Sequence, residues 1–364
     1  MIHIAIGTKA QLIKMSPVLR GLKARNIEFN FIDLGQHSVI TANLRDEFGL
    51  KDPDVRLSFG ENISGLFQGI VWALKLFCKG LNARWVREKI FQNKSGVCLI
   101  HGDTVSTFLA LYFAKRARIK VAHVEAGLRS DNYFEPFPEE LLRVAAMHFS
   151  DILFAPSVWA VENIHKMGLK KETVLLSGNT SLETTYHSLK KSTPLNLNVA
   201  RYALVTVHRM ENIFSKKRLN SVVDFIARTS PDLPVVFVQH PPTIGQLKKF
   251  NLESRLKKIN NVYFFQILSH AHFIHLLRGC EFVVTDGGSI QEESFYLGKP
   301  CLLLRRNTER REGLGENVVL SDLREERMDD FLRNYKNFIR AEVIDERIKP
   351  SEEIINYIVS RYLP

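Results

Sequence analysis

Three carboxylates follow apolar runs that are typical of buried strands. Asp103 follows the run VCLIHG, Glu125 follows the run VAHV, and Glu139 follows Pro138 at the start of a helical pattern. Neighbouring parallel strands end at the same edge of a sheet, so we expect Asp103 and Glu125 in one crevice. Carboxyl groups that converge in this way often have pKa values that lie far apart, which suits proton exchange with a substrate. The pattern therefore predicts general acid–base chemistry.

Each acid also has a purely structural interpretation. Asp103 could be the N-cap of the next helix, and Glu139 could be only a first-turn acid that interacts with the helix dipole. Three carboxylates that converge on one crevice are costly without a task, and we therefore favour the catalytic interpretation.

The second half of the chain combines cations with a glycine turn. His208 and Arg209 follow the run YALVTV, and TDGGSIQEE is typical of a strand end, a turn and a helix start. Free backbone N–H groups at such a helix start bind anions. Glu293 lies one turn into that helix and is a candidate acceptor for a ribose diol. The alternative is a left-handed turn with Asp286 as a simple cap.

Several common cofactor and metal motifs are absent from the sequence. It has no GxGxxG dinucleotide motif after a strand, no Walker A motif and no HExxH. His270, His272 and His275 have a spacing that metal ligands can have, but their helical pattern favours ordinary core and surface positions. We therefore predict no metal and no cofactor.

Strand-like runs alternate with helical patterns along the chain, which predicts parallel α/β sheets. A run such as VCLI is apolar throughout, as burial on both faces requires. The predicted strands are 3–6, 29–35, 96–102, 121–127, 152–157, 173–179, 202–208, 234–240, 262–268, 282–288 and 300–305. The predicted helices are 16–25, 106–117, 138–149, 158–168, 216–229, 270–279 and 289–297, with further helix after 320.

A polar, turn-rich segment at 190–200 interrupts this pattern and is predicted to be a linker. A chain of 364 residues exceeds one ordinary core, and two domains are the expectation. We place a doubly wound domain at 1–185 and another at 186–351. Because ligands of such sheets bind at the carboxyl ends of strands, we expect the active site in the cleft between the domains.

Composition narrows the class of protein. Lys and Arg exceed Asp and Glu by 50 to 39, a net charge of +11, which suits an anionic ligand. The four scattered cysteines form no CxxC pair, and Cys98 and Cys301 lie in apolar runs, as expected of buried free thiols. The start of the chain lacks the features of a signal peptide, and the apolar run at 63–77 is too short to span a bilayer. We predict a cytoplasmic protein.

Eight motifs in order resemble the UDP-N-acetylglucosamine 2-epimerase family across nearly the whole chain. They are HGDT, HVEAGLRS, PFPEE, SGN, VTVHRMEN, TDGGSIQEE, LGKP and TERRE. The resemblance implies an isomerase of the GT-B architecture, which has two Rossmann-like domains. It also implies that a C-terminal helix, residues 352–364, packs back on the first domain.

The resemblance also implies roles for individual residues. The family's catalytic acids correspond to Asp103, Glu125 and Glu139, and its active-site histidine corresponds to His208. The positions that match UDP contacts are Lys9, Lys14, Gln36, His208, Arg209, Gly287, Gly288, Ser289, Glu293 and Arg310.

Three motifs depart from the family pattern. GTRPE is replaced by GTKAQ, DSGG by DGGS and TERPE by TERRE. Lysine at position 9 cannot form the bidentate fork of an arginine, so one phosphate contact is in doubt. No catalytic carboxylate is lost. The departures suggest a divergent branch that acts on a modified sugar.

The chemistry implied by the resemblance is inversion at C2 of a UDP-sugar. UDP leaves C1 as the C2 proton is removed, and a 2-acetamidoglucal forms. Return of UDP gives a reversible epimerase, which converts UDP-GlcNAc to UDP-ManNAc. Addition of water instead gives a hydrolysing 2-epimerase. The segment GTKAQLIKMSP resembles the non-hydrolysing pattern, and we favour the reversible reaction. A GT-B glycosyltransferase and a non-enzymatic UDP-sugar sensor are the alternatives.

The expected partner is a UDP-sugar and not a nucleic acid, and we expect a homodimer. Residues 63–94 combine large apolar groups with six cations and one anion, which suits weak contact with an anionic membrane. The alternative is a helix that packs five apolar side chains into the first domain: Leu66, Ile70, Leu74, Phe77 and Leu81.

Overall fold

A computed structural model divides the chain into two compact units. Unit 1 comprises Met1–Thr184 and Glu346–Pro364, and unit 2 comprises Thr185–Asp345. The structure describes residues 1–58, 63, 66–133, 137–191, 195 and 197–363, without the side chains of 38–40, 66 and 67. Several predicted features lie partly outside this description: the linker (192–194 and 196), the membrane segment (64 and 65), the PFPEE motif (136) and the end of the C-terminal helix (364).

Unit 1 is built on a parallel sheet. Its strands are β1 (Ile2–Ile6), β2 (Phe29–Asp33), β3 (Val55–Arg56), β4 (Val97–His101), β5 (Lys120–Val124), β6 (Ile152–Ala155) and β7 (Glu172–Leu175). Across the described residues the order is β3-β2-β1-β4-β5-β6-β7. The strand order reverses between β1 and β4, and ligands of doubly wound sheets bind at the carboxyl ends of the strands on either side of such a point.

Helices cover both faces of this sheet, since its central strands β1, β2 and β4 are buried along their whole length. The helices of this unit are α1 (Lys9–Ala24), α2 (Ser38–Phe48), α3 (Leu66–Gly80), α4 (Ala83–Trp85), α5 (Val105–Arg116), α6 (Glu139–Phe149), α7 (Val158–Lys166) and, near the end of the chain, α16 (Pro350–Tyr362). Helix α8 (Thr180–Lys191) begins in unit 1 and belongs to unit 2 from Thr185 onwards. A π-helical turn (Val86–Ile90) follows α4. The last helix, α16, places Ile354, Ile355 and Ile358 in the same core as Ile4 and Phe31.

Unit 2 repeats the pattern. Its strands are β8 (Ala203–Thr206), β9 (Val235–Val238), β10 (Val262–Phe265), β11 (Phe282–Thr285), β12 (Cys301–Leu303) and β13 (Val318–Leu320). In the described part of the unit they form a parallel sheet in the order β10-β9-β8-β11-β12-β13. Besides the end of α8, the helices of unit 2 are α9 (Met210–Ile213), α10 (Lys216–Thr229), α11 (Pro241–Lys249), α12 (Glu253–Lys257), α13 (His270–Gly279), α14 (Gly288–Tyr296) and α15 (Glu325–Asn334). A 3-10 turn follows at Tyr335–Phe338.

Helix α3 buries a different face from the one that the packing alternative requires. Trp72 and Leu76 are buried, whereas Ile70, Leu74 and Phe77 are 50%, 56% and 40% exposed. Leu81, just beyond the helix, is 58% exposed. The prediction that Ile70, Leu74 and Leu81 pack into the domain is therefore wrong. Phe77 meets it only in part, since its ring stacks on Tyr112 of α5 at a centroid distance of 4.8 Å, and the side chain of Leu66 lies outside the description. The helix places Trp72 and Leu76 in the core instead.

The cysteines are free thiols. Cys98, Cys280 and Cys301 are buried and Cys78 is exposed. Burial raises the pKa of the Cys98, Cys280 and Cys301 thiols to about 12, so these three remain protonated and unreactive at neutral pH. Among the described residues, no helix has both the length and the apolar character that a membrane crossing requires.

Candidate active site

The predicted acids of unit 1 lie where β4 and β5 end. Asp103 lies two residues beyond β4 and Glu125 directly follows β5, its pairing partner. The backbone of Glu125 has a φ of +69°, a left-handed conformation that is uncommon for residues other than glycine. Such backbone strain occurs often at functional sites. The pairing of β4 with β5 therefore places the backbone segments that carry Asp103 and Glu125 side by side.

Glu125 is buried and has several polar neighbours. Its exposed fraction is 6%. Lys14 Nζ and Asn179 Nδ2 both donate to its Oε1, the latter at 2.6 Å, and His101 Nε2 lies 3.9 Å from its Oε2. A buried carboxylate needs such compensation, because an isolated charge away from water is very costly. The structure thus places Lys14, predicted to contact UDP, directly against a predicted acid.

His101 is a neutral imidazole beside this carboxylate. Burial lowers its pKa to about 4, although the nearby Glu125 raises it. Neither ring nitrogen has a hydrogen-bond partner among the described residues, which is rare for a buried polar group. The pKa of His123 on β5 is also lowered to about 4 by burial, and its Nε2 lies 2.8 Å from the Gly102 carbonyl oxygen. At neutral pH these rings add hydrogen-bonding groups and no charge.

Asp103 is held by an arginine from α6. Arg143 Nη2 pairs with Asp103 Oδ2, and Arg143 Nη1 pairs with the fully buried Glu140, which also accepts from Arg129 Nε. Asp103 is not the cap of α5, since Thr104 provides that cap, so the capping alternative is wrong. The Arg143 contacts fix the start of α6, where the half-buried Glu139 is the first residue, against the end of β4.

A buried glutamine joins the loops after β1 and β4. Gln11 Oε1 accepts from the Gly7 and Thr8 N–H groups at 2.9 and 3.1 Å. Its Nε2 donates to the His101 carbonyl oxygen at 2.8 Å. A glutamate could not donate that last bond. Gln11, the last residue of the GTKAQ motif, therefore holds the loop that precedes Asp103 in place. The sequence analysis did not predict this role.

Two further predicted residues lie near the end of β1 and the loop after β2. Lys9 is the first residue of α1, and its N–H donates to His37 Nδ1 at 3.3 Å. Gln36 is half-buried, and its Oε1 has no hydrogen-bond partner in the described part of the chain. These residues lie on the β1 side of the point where the strand order reverses.

In unit 2, a fully buried aspartate joins the ends of β8 and β11. Asp286 accepts from the backbone N–H groups of His208 and Arg209 at 3.0 and 2.9 Å and from Asn212 Nδ2 at 3.0 Å. The cap of α14 is Gly287, with a φ of −86°. The alternative of a left-handed turn capped by Asp286 is therefore wrong. Asp286 instead fixes the backbone that carries His208 and Arg209.

The ring of His208 lies beside the glycine turn. It stacks on His240 with a centroid distance of 4.5 Å, and its Nδ1 is 3.5 Å from Asp286 Oδ1. A Cβ at Gly287 would lie 3.1 Å from His208 Cε1, so a side chain there would crowd the ring. The permuted order DGGS, with glycine first, leaves room for His208, and Ser289 becomes the second residue of α14.

Glu293 and Arg310 are buried near the same turn. Glu293 is 5% exposed and its Oε1 is 3.1 Å from His270 Nε2. Arg310 is 6% exposed, and its Nη1 is 3.0 Å from Glu292 Oε2. A Cβ at Gly288 would lie 3.0 Å from Arg310 Nε and 2.8 Å from Glu309 Oε1, so a side chain there would displace Glu309 or Arg310. Arg209 Nη2 lies 3.9 Å from the same Glu309 oxygen.

Each unit thus offers a distinct chemistry. Unit 1 offers buried and half-buried carboxylates with a lysine, which suit proton transfer. Unit 2 offers arginines, a histidine and the first N–H groups of α14, which suit an anion such as a phosphate. Within the described residues, no group of three or more His, Cys, Asp or Glu side chains could hold a metal ion.

The sequence analysis gave no role to several side chains that shape the site: Gln11, His101, Arg129, Glu140, Arg143, Asn179 and Asn212. Some had a readable signal. Glu140 and Arg143 have the i, i+3 spacing of a helical ion pair, and Asn179 follows a strand-like run just as Asp103 does. Gln11 had one as well, since Thr8 and Gln11 have the T-x-x-Q spacing of a capping box. Its bonds to the His101 carbonyl oxygen and to Thr107 Oγ1, about 90 residues away, had none.

Comparison with known proteins gives consistent matches. The family model described as UDP-N-acetylglucosamine 2-epimerase matches residues 20–350. A Methanocaldococcus jannaschii protein named UDP-N-acetylglucosamine 2-epimerase is 32% identical over 360 residues, 92% of this chain and 94% of that protein. A Pseudomonas aeruginosa protein named UDP-2,3-diacetamido-2,3-dideoxy-D-glucuronate 2-epimerase is 29% identical, with 88% of each chain covered.

A solved structure extends this similarity to the fold. It is the M. jannaschii UDP-GlcNAc 2-epimerase in complex with UDP-GlcNAc and UDP, which is 30% identical, has a TM-score of 0.80 and covers 98% of this chain and 99% of that one. The prediction of a GT-B-like α/β chain with two Rossmann-like domains is confirmed.

Proposed function

We propose a UDP-sugar 2-epimerase activity for this chain, which belongs to the UDP-N-acetylglucosamine 2-epimerase family. The family is one of isomerases, and the proposed reaction interconverts UDP-GlcNAc and UDP-ManNAc or a related UDP-2-acetamido sugar. The observation that carries the proposal is the family match over residues 20–350. The acids at the ends of β4 and β5 support it.

The first half of the proposed reaction is an elimination. A carboxylate takes the C2 proton, the electron pair of the C2–H bond forms the C1–C2 double bond, and the C1–O bond breaks with its pair on the leaving β-phosphate of UDP. The products are UDP and a 2-acetamidoglucal. Return of a proton to the opposite face of C2 and of the phosphate oxygen to C1 inverts C2. The two faces require at least two positioned acid–base groups.

We assign these groups to unit 1. Asp103, Glu125 and Glu139 are the candidate acids, and Glu125 is buried, with Lys14 and Asn179 both donating to it. Lys14 balances the negative charge of this buried carboxylate. Neutral His101, 3.9 Å away, adds no positive charge to this pair.

We assign the UDP to unit 2. The N–H groups of Gly288 and Ser289 begin α14 with no side-chain cap and are suited to a phosphate. His208 and Arg209 follow β8 next to that turn. Charge that develops on the departing phosphate would be stabilised by these donors. Glu293 is the candidate acceptor for the ribose hydroxyls. Lys9, Gln36 and Arg310 remain further candidates for UDP contacts.

Two observations, one from the sequence and one from a relative, support a substrate sugar with extra substituents. The family motifs GTRPE, DSGG and TERPE are altered here to GTKAQ, DGGS and TERRE. A relative at 29% identity is named for a diacetamido-dideoxyglucuronate substrate. We therefore include a modified UDP-2-acetamido sugar in the proposal and would assay both UDP-GlcNAc and its 3-acetamido uronate analogue.

Proton NMR in heavy water tests the reaction. With UDP-GlcNAc and the enzyme, we expect deuterium at C2 of both UDP-GlcNAc and UDP-ManNAc, because each turnover exchanges the C2 proton with solvent. Release of free N-acetylmannosamine and UDP would instead identify a hydrolysing enzyme. If no UDP-2-acetamido sugar exchanges its C2 proton, the epimerase proposal is refuted. The remaining hypotheses are then a glycosyltransferase and a non-enzymatic UDP-sugar sensor.

The assembly is also a proposal. We propose that each chain has two domains, 1–185 with the C-terminal helix and 186–351. We also propose that two such chains form a homodimer. The exposed apolar row of Ile70, Leu74 and Phe77 supports a protein contact, since monomers rarely expose such patches. The cation excess of 63–94 favours, as a second candidate, weak contact with an anionic membrane. The cytoplasmic location stays a prediction.

A further inference from the structure

Three buried polar side chains of unit 2 form a chain of hydrogen bonds that ends at Glu293. Ser188 lies on α8, His270 is the first residue of α13, and Glu293 lies on α14. Ser188 Oγ is 2.8 Å from His270 Nδ1, and His270 Nε2 is 3.1 Å from Glu293 Oε1. The exposed fractions are 0%, 5% and 5%. Three separate elements are therefore joined through one imidazole.

We propose that His270 is a positioning residue for nucleotide binding, which holds Glu293 in the orientation that accepts the ribose diol. This inference rests on the proposed UDP site of unit 2. It concerns His270 and Ser188, neither of which the sequence pattern or the reaction requires.

The direction of the hydrogen bonds follows from the chemistry of the groups. An ionised carboxylate accepts only, so His270 Nε2 must carry the proton and donate to Glu293. In the neutral ring Nδ1 then accepts from the Ser188 hydroxyl, which fixes both the tautomer and the ring plane. Glu293 keeps free acceptor positions, because a carboxylate has about four of them. It can accept from His270 and from two ribose hydroxyls together.

Because Glu293 is buried, its orientation depends on the hydrogen bond from His270. A buried carboxylate that loses its donor must find another or reorient, and a rotated Glu293 would no longer face the ribose. The other histidines of the same segment differ from His270. His272 Nδ1 lies 3.0 Å from Ser269 Oγ on the same helix, and both His272 and His275 are half-buried. Only His270 links α13 to Glu293 within the described residues.

Calorimetric titration with UDP and with 2′-deoxy-UDP tests the proposal. The variants are His270→Phe, which keeps a ring but no donor, and Ser188→Ala, which is a smaller change. We expect His270→Phe to weaken UDP binding about tenfold, as for loss of a hydrogen bond to a charged group. Binding of 2′-deoxy-UDP should weaken less, by about threefold, since that ligand keeps only one of the two hydroxyls that would donate to Glu293. Ser188→Ala should act in the same direction, less strongly.

Two further variants separate the possible failures. His272→Phe on the same helix is the matched control and should leave both affinities unchanged. Glu293→Ala should abolish the preference for UDP over 2′-deoxy-UDP, and adding His270→Phe to it should cause no further loss. If Glu293→Ala keeps the preference, the ribose assignment in the proposed function fails. If Glu293→Ala removes it but His270→Phe weakens both nucleotides equally or neither, the positioning role of His270 is refuted.

Discussion

Lys14 and Glu125 form a buried ion pair in unit 1. Lys14 comes from the second turn of α1 and Glu125 from the end of β5, and they are 3% and 6% exposed. The sequence gives these residues separate roles, a UDP contact and an acid. Their contact implies that any change at Lys14 also changes the surroundings of the acid.

Substitution of Lys14 separates the two roles. Lys14→Met leaves Glu125 buried without its cation, and we expect turnover to fall at least ~10²-fold, as for loss of an acid–base group. The affinity for UDP should change by less than about threefold if Lys14 acts through Glu125. Steady-state kinetics and calorimetry measure the two effects. Lys23→Met, an exposed lysine on the same helix, is the control. A large loss of UDP affinity with unchanged turnover would show that Lys14 contacts a phosphate of UDP and does not act through Glu125.

The three candidate acids give a second prediction. Asp103→Asn, Glu125→Gln and Glu139→Gln should each lower turnover at least ~10²-fold, because each removes a proton-transfer group and keeps the side-chain shape. Circular dichroism should show an unchanged fold. Glu162→Gln, an exposed acid on α7, should be fully active. Near-normal turnover in two of the three variants would refute the assignment.

The acids show how far sequence reasoning reached. Strand ends follow from period and composition, and β4 and β5 pair as neighbours, so the proximity of Asp103 and Glu125 was predictable. The strands β3 and β13 were not predicted, because segments of two and three residues show no period. The equally short β12 was predicted only because it lies in the longer apolar run CLLL. The partners of the acids were missed for another reason. Arg143 and Asn179 reach Asp103 and Glu125 across 40 and 54 residues of sequence.

Helix α3 shows the opposite case, where a correct pattern gave a wrong orientation. Its sequence has two apolar stripes, one through Trp72 and Leu76 and one through Ile70, Leu74 and Phe77. Helical period identifies both stripes and cannot say which one faces the core. The structure buries Trp72 and Leu76, since α3 packs with α5.

Buried histidines predict how the stability of unit 1 depends on pH. Burial lowers the pKa of His3 from 6.5 to about 4, as it does for His101 and His123. Between these values the unfolded chain binds protons that the folded unit does not, so the free energy of unfolding falls as the pH decreases from 6.5 to 4. Each histidine should contribute about 2 kcal/mol of loss between pH 7 and pH 5.

Urea denaturation followed by tryptophan fluorescence measures this loss, because Trp72, Trp85 and Trp159 all lie in unit 1. His3→Phe is the informative variant, since His3 lies far in sequence from the candidate acids. It should lower stability at pH 7, where it removes the contacts with Asn30 and Lys94. It should also reduce the further loss at pH 5 by about 2 kcal/mol. The exposed His148→Gln should leave the pH dependence unchanged. Equal losses in His3→Phe and the parent chain would contradict the prediction.

The exposed row of α3 gives the last prediction, which decides between a second copy of the chain and a membrane. If the row forms the dimer contact, Leu74→Asp should convert the dimer to a monomer in analytical ultracentrifugation, because a charge would be buried at the interface. Val158→Asp, at another exposed apolar position, should leave the dimer intact. If the row binds a membrane, the parent chain should sediment with anionic vesicles at low salt and less at high salt. Replacement of Lys75, Lys79, Arg84 and Arg87 by Gln should then abolish vesicle binding and leave the oligomeric state unchanged. A parent chain that is monomeric and does not sediment with anionic vesicles would refute both proposals for this face of α3.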